Sequence, residues 1–192
     1  LALAATTSSG ITFVDLHERE TFLSFREIHA SARETAAALW RAGVSAGDRV
    51  ALVYPTSPGF LDAYFGVLLA GAVPVPLYPP FRLGRLPEYH ASTATMIGTA
   101  GASVVLAAPR VRRLLGQAIE RSRPRLGCQT LEELRAGAAG EAEVVPDPGD
   151  LALIQFSSGS TTDPKPVALS HANLTAQLAA IKALLPPEEG LP

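Results

Sequence analysis

Short apolar runs alternate with helically periodic segments along most of this chain, and that alternation constrains its fold more than any other feature. Arg49-Val50-Ala51-Leu52-Val53 is β-rich, Ser57 with Pro58 opens an apolar helix through Ala70, and Gly71-Ala72-Val73-Pro74-Val75-Pro76 returns to extended chain. A helical stretch from about Pro87 to Thr99 leads to the strand-like Ala102-Ser103-Val104-Val105-Leu106. Val111 to Arg121 reads as helix again, and Cys128-Gln129-Thr130 as a brief strand. Strand and helix in repetition predict an α/β fold with a parallel-rich sheet covered by helices, because parallel strands need long crossovers that helices supply.

Flanking segments have their own signals. Ile11-Thr12-Phe13-Val14 and Thr21-Phe22-Leu23 read as a hairpin around the charged His17-Glu18-Arg19-Glu20. Ser24, with Glu27 three residues on, caps a helix whose apolar residues Phe25, Ile28, Ala32, Ala36 and Leu39 fall at helical spacing up to Gly43. Trp40 near its end reads as core. The Ala-, Gly-, Glu- and Pro-rich stretch 137–149 is a loop that divides a first α/β block, 1–150, from a second, 151–192. The second holds a buried-strand pattern, Leu151 to Phe156, a small-residue loop, Val167-Ala168-Leu169, and a helix capped by Ser170 or Asn173 that runs to Leu185.

Composition narrows the functional classes. With 47% hydrophobic and 18% charged residues the 192-residue chain can bury a core. Sixteen Lys and Arg against 18 Asp and Glu leave a net charge of −2, which excludes the basic footprint of a nucleic-acid binder. Gly71, Pro74, Pro76 and Pro79 break the longest apolar run, so no transmembrane segment is expected. Cys128 stands alone, which excludes an intrachain disulfide and suits the reducing cytoplasm. The opening residues, from Leu1 to Gly10, lack an initiator Met and the positive flank of a signal peptide, and read as trimmed from a longer protein.

Chemistry concentrates in Ser157-Ser158-Gly159-Ser160-Thr161-Thr162-Asp163-Pro164-Lys165, directly after the buried strand. Hydroxyls and backbone N–H groups donate to phosphate oxygens, Gly159 lets the main chain approach closely, and Lys165 adds a mobile positive charge. The same residue types also build solvated turns, and composition alone leaves both readings open. It is not a Walker P-loop: Gly159 has no second glycine at the required spacing, and Lys165 is followed by Pro166.

As ordered text, this stretch resembles the phosphate-binding signature [ST]-[ST]-G-[ST]-T-x-x-P-K of the adenylate-forming superfamily, which includes acyl-CoA synthetases, luciferases and nonribosomal adenylation domains. Ser157, Ser158, Gly159, Ser160, Thr161, Pro164 and Lys165 fill its fixed positions, and Leu169-Ser170-His171-Ala172-Asn173-Leu174 is similar to the S-H-x-N-L continuation. Upstream, Gly47-Asp48-Arg49-Val50-Ala51-Leu52 and Ala70-Gly71-Ala72-Val73-Pro74-Val75-Pro76-Leu77 resemble further superfamily segments. Tyr78-Pro79-Pro80, Gly84-Arg85 and the run from Ala100 to Leu106 look most like fatty acyl-AMP ligases.

The resemblance implies an enzyme that activates a fatty acid with ATP and Mg, releases pyrophosphate and forms an acyl adenylate. The acyl group would pass to a thiol of coenzyme A or of an acyl carrier protein. Ser157, Ser158, Gly159, Ser160, Thr161 and Lys165 would hold the β- and γ-phosphates, with no catalytic residue and no metal ligand in this stretch. Only the amino-terminal portion of the large domain is implied, so the segment alone is expected to be inactive. Alternatives are an aminoacyl- or acyl-CoA-forming adenylating enzyme, a non-catalytic module of the same fold that meets a carrier protein, and a complete small nucleotide-binding domain.

Pro166 departs from the family's usual P-K-G. Proline removes a backbone donor and biases the preceding residue to extended geometry, so it either loses a bond that glycine would make or stiffens Lys165. His171 reads either as a site residue or as a helix-terminal histidine with a structural role. Arg82 and Arg85 read as loop arginines, and Arg110, Arg112 and Arg113 as an exposed helix face.

Overall fold

A hairpin opens the fold in the computed structural model, which describes residues 1–15, 17–80, 83–136, 140–157 and 164–184. Its strands β1 (Gly10–Val14) and β2 (Glu20–Ser24) pair antiparallel. Helix α1 (Phe25–Arg41) follows at once, and its start is the predicted capping box: Ser24 Oγ accepts from the Glu27 amide at 3.2 Å while Glu27 Oε2 accepts from the Ser24 amide at 2.9 Å.

The centre is built from β3 (Arg49–Val53), α2 (Pro58–Leu69), β4 (Val73–Leu77), α3 (Leu86–Ala100), β5 (Ala102–Ala107), α4 (Pro109–Arg112), α5 (Gly116–Ser122), β6 (Cys128–Gln129) and α6 (Leu131–Arg135). The strands form one parallel sheet in the order β4-β3-β5-β6. Both faces are covered, so the strands alternate between two cores. Val50, Leu52, Val104 and Leu106 pack toward α1, α2 and α6; Ala51, Val53, Val105 and Ala107 pack toward α3 and α5. Burying each such Val or Leu stabilises the fold by about 1.5–3 kcal/mol. On the first face Gly66 allows α2 to lie close on α1: a Cβ there would stand 2.5 Å from Thr35.

The chain ends in β7 (Leu151–Ser157), β8 (Lys165–Ser170) and α7 (His171–Leu184). β7 and β8 pair antiparallel, so the parallel expectation does not extend to this block. The short connection accounts for this, because a parallel pair needs a crossover of a dozen or more residues. β7 runs alongside β4 but stays outside its hydrogen-bond ladder. Pro74 and Pro76 explain the gap: alternate prolines leave one side of β4 without donors, which confines it to a sheet edge.

Three further expectations are corrected. Trp40 is 44% exposed rather than core; it lies one step off the apolar stripe of α1, and its indole N–H donates to the Ala70 carbonyl at 3.0 Å at the end of α2. The single helix over 111–121 is two helices. Pro109 starts the first early, tight turns bond Leu114 to Val111 and Leu115 to Arg112, and the fully buried Leu115 pins the break. Thr130 is not strand but the cap of α6, with Glu133 completing a second capping box.

Candidate functional site

In an open α/β sheet the carboxyl ends of parallel strands are where ligands bind. Here the carboxyl ends of β3 and β4 meet that of the neighbouring β7 around a cleft of about 310 Å³. Tyr54 and Thr56 follow β3, Leu77 and Tyr78 close β4, Phe60 comes from the first turn of α2, and Gln155 and Phe156 come from β7. Ser57 sets that turn: its hydroxyl accepts from the Phe60 amide at 3.4 Å, and Pro58 occupies the first helical position. Tyr89 on α3 donates to the Tyr78 carbonyl at 3.0 Å and ties down the wall before Pro79 and Pro80. The lining is mainly apolar, with Thr56 and Gln155 as polar points, a surface for a hydrocarbon or aromatic group beside a polar one.

Of the sequence-predicted phosphate residues, Ser157 and Lys165 are described, whereas Ser158, Gly159, Ser160 and Thr161 lie outside the described residues, as does Arg82. Ser157 and Lys165 face each other as the last register pair of β7 and β8, and Ser157 Oγ donates to the Lys165 carbonyl at 3.4 Å. Both are exposed, and Lys165 makes no ion pair among the described residues. The structure therefore places the two ends of the signature side by side, next to the cleft wall formed by Gln155 and Phe156.

Tyr54 in the cleft wall and Cys128 outside the cleft are both held neutral. Burial, reinforced by the Glu132 charge, pushes the Tyr54 hydroxyl above its ordinary range, and its oxygen is buried without a hydrogen-bond partner among the described residues. Burial likewise pushes the Cys128 thiol up to about 11, which removes it as a nucleophile near neutral pH. His171 opens α7 with its amide donating to the Asp150 carbonyl at 3.0 Å, while Ser170 and Asn173 cap the same helix reciprocally. Arg110, Arg112 and Arg113 are exposed as expected, and Arg112 pairs with Glu133 at 3.1 Å. Among the described residues no three His, Cys, Asp or Glu side chains cluster as metal ligands.

Sequence reasoning missed Tyr54, Thr56, Phe60, Gln155 and Phe156. None carries a motif, since each matters only because β3, β4 and β7 are neighbours in space. For Tyr54 and Thr56 the position just after a parallel strand was the one available signal.

The AMP-binding enzyme family matches residues 3–191. The chain belongs to that family. Its relatives include the long-chain-fatty-acid–AMP ligase FadD32 of Mycolicibacterium smegmatis, 30% identical over 88% of this chain and 26% of the relative. Feruloyl-CoA synthase of an Amycolatopsis species is 34% identical over 81% of this chain and 30% of its own length. Among solved structures, a fatty acyl-adenylate ligase studied from E. coli and L. pneumophila superposes with a TM-score of 0.90 at 29% identity, covering 98% of this chain and 34% of that one. ATP-bound MatB of Rhodopseudomonas palustris gives 0.70 at 26% identity, over 85% of this chain and 33% of that one. The chain thus spans about a third or less of the AMP-binding relatives it matches. Among the described residues no helix is long and apolar enough to cross a membrane.

Proposed function

We propose that this chain is the amino-terminal part of the large domain of a fatty acyl-AMP ligase, 1–150 forming the first α/β block and 151–192 the strand, phosphate-binding loop and following helix. The whole enzyme would join a fatty acid to ATP, release pyrophosphate and form an acyl adenylate for transfer to an acyl carrier protein or coenzyme A. One observation carries the reading: the two ends of the signature, Ser157 and Lys165, stand paired at the end of the β7–β8 pair beside an apolar cleft. The FadD32 relative and the acyl-adenylate ligase likeness support the fatty acyl assignment.

The residues present suit ATP. Lys165 is exposed and free of carboxylate partners among the described residues, so its charge is available to phosphate. Ser157 offers a hydroxyl beside it, and Ser158, Gly159, Ser160 and Thr161 are proposed to complete the β- and γ-phosphate contacts. Bound ATP supplies the electrophilic α-phosphorus and a stabilised leaving group. The chain's part is to position and to offset charge on the departing pyrophosphate, which needs no covalent intermediate with protein. Magnesium is proposed to accompany the nucleotide without ligands from this part of the chain. A cytoplasmic location fits the unpaired Cys128.

Incubating the full-length protein with ATP and fatty acids of several lengths should give acyl-AMP by mass spectrometry. Appearance of aminoacyl-AMP or feruloyl-AMP alone would overturn the fatty acyl assignment. The feruloyl-CoA synthase relative makes the aryl reading the one worth testing beside it.

A further inference from the structure

The placement of Pro166 is explained by neither the fold nor the proposed chemistry. It stands in β8 directly opposite Phe156, one step inside the Ser157–Lys165 pair. Directly opposed residues of an antiparallel ladder alternate between hydrogen-bonded and non-hydrogen-bonded pairs. A proline has no N–H and cannot fill a hydrogen-bonded pair. Phe156–Pro166 is therefore a non-hydrogen-bonded pair, and the ladder bonds fall on its neighbours, Gln155–Val167 and Ser157–Lys165. At this position the missing donor costs the sheet nothing.

What proline adds is restraint. Its ring fixes its own φ near −65° and disfavours the helical region for the residue before it, so Lys165 is biased to extended geometry by local sterics. The surroundings give that restraint its weight. β7 buries Ala152 and Ile154, but Lys165, Pro166, Val167 and Ala168 of β8 are all exposed. In this chain the start of β8 is exposed, and its geometry rests on pairing with β7 and on the intrinsic preference of the chain.

We propose that Pro166 is a positioning residue that locks the neck of the nucleotide-binding loop, holding Lys165 extended beside Ser157 so that the lysine is pre-set for phosphate. The role rests on the nucleotide reading of Lys165. It acts through backbone geometry, and its effect belongs to nucleotide binding rather than to the rate of the chemical step.

The test uses the full-length protein with Pro166→Gly and Pro166→Ala, Ala being intermediate in backbone freedom while restoring the same N–H as Gly. Relaxing the lock is expected to speed hydrogen exchange at the Ser157 and Val167 amides about two- to fivefold for Gly and less for Ala, leaving Ala51 and Val105 unchanged. In pyrophosphate exchange the KM for ATP should rise by a similar factor in the order Pro, Ala, Gly, with kcat nearly constant. Equal improvement by Ala and Gly would mean that the lost N–H was a defect, and overturns the lock. Faster amide exchange with an unchanged KM overturns the positioning role while leaving the nucleotide reading intact. A parent that binds ATP equally well after Lys165→Ala overturns the nucleotide reading itself.

Discussion

At the scale of single residues, an exposed cation at the candidate site and a half-buried thiol outside it are expected to behave in opposite ways. Lys165 is exposed at the mouth of a strand pair, and the proposed role has its charge meet phosphate there. Lys165→Ala in the full-length enzyme should remove one charge-assisted contact worth about 1.5–3 kcal/mol, a loss of roughly 10- to 150-fold in pyrophosphate exchange. An unchanged rate and ATP dependence would show that Lys165 does not meet phosphate. Cys128 is withdrawn from chemistry by burial, its thiol being pushed up to about 11. Since the thiolate is the reactive form, a disulfide reagent at pH 8 should modify Cys128 more slowly than a free cysteine peptide, with the rate still climbing through pH 10. Cys128→Ser is expected to leave adenylation unchanged, measured by the same exchange assay.

Among the elements, α1 concentrates two local dependences. Its capping box lowers the Glu27 pKa, chiefly through the Ser24 hydroxyl and then the Ser24 amide. A carboxylate depressed in the folded state contributes stability that is present above its unfolded pKa and is lost as pH falls through the folded value. Acid should therefore weaken the start of α1, and Ser24→Ala should lower the melting temperature at pH 7 while flattening the loss as pH falls below the ordinary carboxylate range. Gly66→Ala places a Cβ 2.5 Å from Thr35 and 3.2 Å from the Ala32 carbonyl, so α2 must shift off α1 at a cost of about 1–3 kcal/mol, read as a lower denaturant midpoint. These elements were also the most legible. The Ser24–Glu27 spacing and the apolar periodicity are local signals, and α1, β3, α2, β4, α3 and β5 all fall where the sequence puts them. Legibility failed where packing decided. Leu115 breaks the expected helix because it is drawn into the core, and Trp40 stays partly exposed because it lies off the apolar stripe, its N–H on the Ala70 carbonyl. The site divides the same way: Ser157 and Lys165 were readable as text, whereas Tyr54 and Phe156 become neighbours only through the order of the strands.

For the molecule as a whole, the decisive feature is an uneven distribution of covered surface. The central sheet is buried on both faces, yet α7 buries none of its residues: Leu178 is 66% exposed and Ile181 is 42% exposed. With Leu174 these residues form a stripe at helical spacing, and Val167 and Leu151 extend the exposed apolar character onto β7 and β8. Monomeric soluble proteins seldom leave such a stripe open. Covering each large side chain would yield about 1.5–3 kcal/mol, against about 4–15 kcal/mol for lost freedom on association, so contact between two copies of the 192-residue chain should be weak and concentration-dependent. Light scattering on that chain should show dimers or larger species growing with concentration, together with binding of a hydrophobic dye. Leu178→Glu combined with Ile181→Glu should return it to a monomer without lowering its melting temperature, because neither residue contributes to a core. A monodisperse, dye-silent monomer of the parent chain would show that the stripe on α7 does not drive association, and that the exposed end of the fold is tolerated as it stands.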